Sequence, residues 1–74
     1  MTTIKTLNSE YIVDNNILWK NGEVYTDDIR YIGTLAKTVI LDGLPNVGDA
    51  LYIEYYNGET MRSLRTSMVV EVSA

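Results

Sequence analysis

Seventy-four residues, 46% of them hydrophobic and 22% charged, make one globular domain with a thin core and nothing resembling a disordered chain. Cysteine and histidine are both absent, which excludes disulfides, thiolate–metal sites, and catalysis of the Ser-His-acid or Cys-dependent type. Six Lys/Arg against ten Asp/Glu leave a net charge of −4, which argues against a duplex nucleic-acid partner, and no apolar run is long enough to span a bilayer.

Residues 1–9 are mostly polar and read as a tail or an edge strand. The opening Met1-Thr2-Thr3-Ile4-Lys5 lacks the apolar stretch of a secretory signal, so the expected location is the cytoplasm. Tyr11-Ile12-Val13 has high β-propensity, and Asp14-Asn15-Asn16 is a turn cluster. Ile17 to Lys20 is a second strand. Asn21-Gly22 is a hairpin signal, because a two-residue type I′ turn needs φ > 0 at both central positions. Glu23-Val24-Tyr25 is the return strand, so the first third reads as a three-stranded meander. Trp19, beside Lys20, is read as a core residue.

Thr26-Asp27-Asp28 can be read two ways. Thr26 is a possible N-cap for a helix over 26–37 carrying Ile29, Ile32 and Leu35. The β-branched and aromatic residues over 29–35, with Gly33 in the middle, favour a strand. Lys37 to Leu41 is another strand candidate, and 42–49 is a loop holding the single proline.

Gly48 to Val72 reads as one long hairpin turning at Asn57-Gly58. With that pair as the loop, Tyr56 faces Glu59, Tyr55 faces Thr60, Ile53 faces Arg62 and Leu51 faces Leu64. Leu51, Ile53, Tyr55, Leu64, Met68, Val70 and Val72 then share a core face. Tyr52, Glu54, Tyr56, Met61 and Arg65 share the other. Arg62 is a misfit on the core side, which a bulge or a site at the sheet rim would resolve. The whole is expected to be all-β: a small barrel or roll of about six short antiparallel strands, SH3-like or OB-like in size.

Three segments carry a family resemblance. They are Ile4-Lys5-Thr6-Leu7-Asn8-Ser9-Glu10-Tyr11-Ile12-Val13-Asp14, Leu44-Pro45-Asn46-Val47-Gly48-Asp49-Ala50-Leu51, and Thr66-Ser67-Met68-Val69-Val70-Glu71-Val72. Together they resemble a group of small, mostly uncharacterised phage and mobile-element proteins ending in Thr-Ser-Pro-Val-Val. Residues 15–43 are outside the match, and Met68 replaces the group's proline, so it is free to pair in a ladder. The resemblance implies a viral or mobile-element source and carries no residue-level function.

Asp27-Asp28, and Asp42 with Asp49, are the carboxylate pairs available for a Mg²⁺ or glycosidase-like site, but Asp is also the ordinary occupant of turns. No catalytic activity, cofactor or metal is expected. The constellation that suggests binding is aromatic and basic: Tyr52, Tyr56 and Arg65 on one face, with Arg62, Thr66 and Ser67 on the same strand as Arg65. Guanidinium groups and hydroxyls hold phosphates, and tyrosine rings stack bases. Two functions follow. One is sequestration of a nucleotide-type small molecule, such as a host-defence signal, without chemistry. The other is a protein-interaction or virion accessory module. Self-association is expected through Tyr52, Tyr55, Tyr56 and a Met68–Val72 edge.

Overall fold

Among the described residues seven strands follow from the alternating pattern: β1 (Thr2–Thr6), β2 (Glu10–Asp14), β3 (Ile17–Lys20), β4 (Glu23–Thr26), β5 (Ile29–Gly33), β6 (Ala50–Asn57) and β7 (Thr60–Ser73). The computed structural model describes residues 1–34 and 45–73, and these contain strands and turns but no helix. The ambiguous stretch after Thr26 is therefore β5, while the strand candidate at Lys37 to Leu41 and the acid Asp42 lie outside the described residues. Thr26 does not cap a helix. Its hydroxyl instead accepts a hydrogen bond from the Asp28 amide at 3.2 Å, shaping the turn into β5.

All neighbours in the sheet are antiparallel, in the order β4-β3-β2-β1-β7-β6-β5. The meander β2-β3-β4 forms as the turn signals require. Asn21 and Gly22 have φ of 51° and 85°, the positive pair of a type I′ turn. The first residues are not an edge or a tail. Ile4 and Thr6 are buried, and β1 is an interior strand between β2 and β7. The supposed Met68–Val72 edge is covered for the same reason: Val69, Glu71 and Val72 pair with Thr6, Lys5 and Ile4. Residues 68–72 therefore offer no unpaired strand edge, although the side chains of Met68 and Val70 remain exposed.

The sheet curls until its flanks meet. Tyr25 of β4 packs edge-on against Tyr55 of β6, with ring centroids 5.4 Å apart. Main-chain hydrogen bonds from Ile29 N to Asn16 O and from Tyr56 N to Asp28 O, both 3.1 Å, pin the β4–β5 crossing. The result is a half-barrel whose concave face encloses Ile4, Tyr11, Leu18, Ile29, Ile32, Leu51, Ile53 and Val69, with Val13, Leu64 and Val72 packed against them. Trp19 belongs to the opposite face. It is half-buried and outside this core, because the alternation that puts Leu18 inside turns its neighbour out.

The closing hairpin differs from the expected register by two residues. Asn57 pairs with Thr60, Tyr56 with Met61, Tyr55 with Arg62 and Ile53 with Leu64. Gly58 and Glu59 form the loop, and only Gly58 has positive φ, at 67°. Glycine at the first central position alone is the requirement of a type II′ turn, so Gly58 serves that turn and Asn57 stays in the strand. A shift of two keeps every side chain on its expected face, which is why the facing pattern survives the change of partner.

Two bulges in β7 do alter the faces. Tyr52 pairs with Arg65 but Ala50 with Met68, so Leu51 stands opposite two residues, Thr66 and Ser67. Lys5 pairs with Glu71 but Thr6 with Val69, leaving Val70 over. Each extra residue reverses the alternation. Val69 is consequently fully buried, while Met68 and Val70, expected inside, are each 43% exposed.

Candidate functional site

Thr66 holds the first bulge together. Its hydroxyl accepts from the buried Leu51 amide at 3.0 Å and donates to the Ser67 carbonyl at 2.8 Å. The Ser67 hydroxyl accepts from the Asn8 amide at 3.1 Å. Leu7 N donates to Met68 O at 3.0 Å, Gly48 N to Val69 O at 2.8 Å, and Val69 N to Asp49 O at 2.9 Å. Thr6 closes its own turn, its amide and hydroxyl both donating to Ser9 O at 2.8 and 3.0 Å. The segments 6–9, 46–51 and 66–69 thus converge on one end of the half-barrel, where the hydroxyls of Thr6, Thr66 and Ser67 are bonded to main-chain groups. Thr66 spends its hydroxyl proton on the scaffold, and the Ser67 hydroxyl joins the same network as an acceptor.

The outer face of β5, β6 and β7 carries the aromatic and basic residues. Tyr52 and Arg65 stand directly opposite, with the guanidinium carbon 5.8 Å from the ring centroid. Tyr31 lies beside them, its ring 6.4 Å from that of Tyr52. Tyr31 can fold across β5 because Gly33 has no side chain; a Cβ there would collide with the Tyr31 ring. Tyr52 and Arg65 border a depression of about 380 Å³ also lined by Thr34, Ala50, Leu51 and Thr66.

Tyr56 does not join that group. Arg30, the extra residue of a bulge between β5 and β6, lies 4.8 Å above its ring and pairs with Asp28 at 2.8 Å. The face of Tyr56 and the carboxylate of Asp28 are thereby both occupied, and Asp27 beside them is exposed. Asp49 is half-buried and contributes its main chain to the Pro45–Leu51 turn. Among the described residues no three acidic side chains are grouped to hold a metal ion.

Arg62 lies on the concave side, as its position in the strand requires, but beyond the buried core. Its cross-strand partner is Tyr55, whose hydroxyl shares a 3.2 Å hydrogen bond with Tyr25. The Tyr25 phenol is pushed up to about 12, first by that bond, which holds a proton between the two oxygens, and then by loss of hydration; Arg62 opposes the shift. Lys20 sits over two rings, 5.9 Å from the centroid of Tyr11 and 5.7 Å from that of Tyr25. Tyr11, Lys20, Tyr25, Tyr55 and Arg62 therefore gather at the open mouth of the half-barrel. Tyr25 reaches this group because it is the extra residue of a bulge: Leu18 pairs with Thr26 and Trp19 with Val24. The hairpin signals in the sequence mark β4 but not that bulge.

The six sequence-selected residues thus fall into separate places. Tyr52 and Arg65 are together, Tyr56 is with Arg30, Arg62 is at the mouth, and Thr66 and Ser67 are tied into the bulge. Among the described residues no helix is long and apolar enough to cross a membrane. The chain matches no family model, no curated protein and no solved structure.

Proposed function

We propose that the protein is a non-catalytic binding module that sequesters a nucleotide-type small molecule on the outer face of β5, β6 and β7. The observation that supports this is the Tyr52–Arg65 pair at the rim of the 380 Å³ depression. A ring beside an exposed guanidinium offers stacking and phosphate recognition in one place. Arg65 forms no ion pair among the described residues, so its charge is not already neutralised. The resemblance to phage and mobile-element proteins supplies the setting, a nucleotide signal of host defence acting in the cytoplasm of an infected cell.

The experiment is a thermal-shift and native mass-spectrometry screen against cyclic and linear nucleotide second messengers. A ligand at a hundred times its Kd stabilises the folded state by about 2.7 kcal/mol, a shift easily seen in a domain of this size. Arg65→Ala and Tyr52→Ala are expected to abolish it. Unchanged melting across the panel would defeat the proposal.

One observation favours a second reading, a protein-interaction or virion accessory module. Leu7, Val47, Met68 and Val70 are 64%, 63%, 43% and 43% exposed. They lie on segments that hydrogen-bond to one another at one end of the half-barrel. Co-purification of one stoichiometric protein that is lost on Met68→Lys would select this reading.

A further inference from the structure

We infer that the open mouth of the half-barrel binds an oxyanion, a phosphate or phosphate monoester, between Lys20 and Arg62 on a floor of Tyr25 and Tyr55. This site does not depend on the Tyr52–Arg65 face.

The first argument is charge. Ion pairs among the described residues engage Lys5 with Glu10 and Glu71, and Arg30 with Asp28. Lys20 and Arg62 have no carboxylate partner among them, although the chain carries a net charge of −4 and offers ten acids. Glu23 stands directly across the ladder from Lys20 and still makes no ion pair with it. Lys20 is also half-buried. Its ammonium lies over the faces of Tyr11 and Tyr25, which hold it in position for an anion arriving from the open side.

The second argument is a count of hydrogen-bond donors. Tyr25 and Tyr55 have two hydroxyl protons between them. One is used in their mutual 3.2 Å bond, and the other has no protein partner among the described residues. A phenol O–H, an ammonium and a guanidinium are the donor set that a tetrahedral oxyanion accepts from. The proximity of Arg62 is felt at the phenol, where it works against the upward shift of Tyr25. The mouth of a β-barrel is a common place for a ligand, because side chains from strands distant in sequence meet there.

The depressions on either side of Tyr25, of about 400 and 310 Å³, are also bordered by Glu23 and Asp27. Those carboxylates limit the charge that the mouth accepts. It suits one phosphate group rather than a polyphosphate.

The test is an NMR titration of the full chain at low ionic strength, with inorganic phosphate in one arm and phenyl phosphate in the other. Saturable shifts are expected at the amides of Lys20, Tyr25, Tyr55 and Arg62. Lys20→Gln and Arg62→Gln should each weaken binding roughly tenfold, the effect of removing one charged donor. Arg62 is exposed, so its variant leaves the fold intact, and because Lys20 is half-buried its variant is first checked for an unchanged melting temperature. Lys5→Gln, which removes the same charge elsewhere, should bind as the parent does. Tighter binding of phenyl phosphate identifies a monoester as the ligand class; equal binding identifies the free ion. The inference is overturned if neither probe saturates. It is also overturned if Lys5→Gln weakens binding as much as Arg62→Gln, since the effect would then be one of net charge.

Discussion

Thr66→Val is the substitution that most directly tests how the sheet curls. Valine matches threonine in shape and fills the same buried space, but it has no hydroxyl. The Leu51 amide, buried and bonded to Thr66 Oγ1 at 3.0 Å, would lose that acceptor, and the Ser67 carbonyl would lose a donor. Stranding one buried donor costs about 1–3 kcal/mol. A domain of this length has a total stability of roughly 4–11 kcal/mol, so about 2 kcal/mol is a substantial part of it. Thr66→Ser is the complementary change. It keeps the hydroxyl and removes one methyl group, at a cost of about 0.8 kcal/mol. Urea unfolding at fixed pH, with the slope unchanged, reads the difference as a shift in midpoint. Melting temperature should fall by about 8–16 °C for the valine variant and by less than half of that for serine. If the valine variant is as stable as the parent, the bulge is held by the ladder alone and the role given to Thr66 is wrong.

Two further predictions concern the hairpin tip and the mouth. Gly58→Ala should cost about 1–2 kcal/mol because Gly58 has φ of 67°, whereas Asn57→Ala should fall within about 0.5 kcal/mol; similar losses for both would indicate the type I′ turn instead. The bond to Tyr55 and the loss of hydration push the Tyr25 phenol from an ordinary 10 up to about 12, so the folded state keeps its proton longer than the unfolded chain. Its contribution is complete below pH 10 and is lost as pH rises from 10 to 12. Tyr25→Phe should therefore lose less stability than the parent between about pH 9 and about pH 11 in urea unfolding, and parallel losses would count against the Tyr25–Tyr55 bond.

Most of the strand pattern could be read directly from the residues, and the departures have local causes. Asn21-Gly22 and Asn57-Gly58 look alike in sequence. They differ because glycine satisfies a type II′ turn from the first central position as well as a type I′ turn from the second. The inside–outside pattern of β7 fails only past Thr66, where a hydroxyl captures the Leu51 amide and an added residue reverses the alternation. Polar residues near the start disguised β1, whose interior position rests on Ile4 and Thr6. That Tyr52 and Arg65 share a face followed from strand parity, whereas their direct pairing comes from the two-residue shift in register, which the expected turn did not give. The cluster at the mouth did not follow from parity, since it depends on a bulge at Tyr25 and on β4 approaching β6 across the curl, neither of which leaves a short-range signal.

The β1–β7 ladder has a mechanical consequence. It is the seam between two meanders, β2-β3-β4 on one side and β5-β6 on the other, and it pairs Thr3 with Ser73. A load applied at those two points acts across the strands and along the ladder's hydrogen bonds, which run perpendicular to antiparallel strands. The bonds would then break one at a time, as a zip opens, rather than together in shear. Under tension the half-barrel should part first along this seam, exposing Ile4 and Val69 while each flanking meander still holds its own turns.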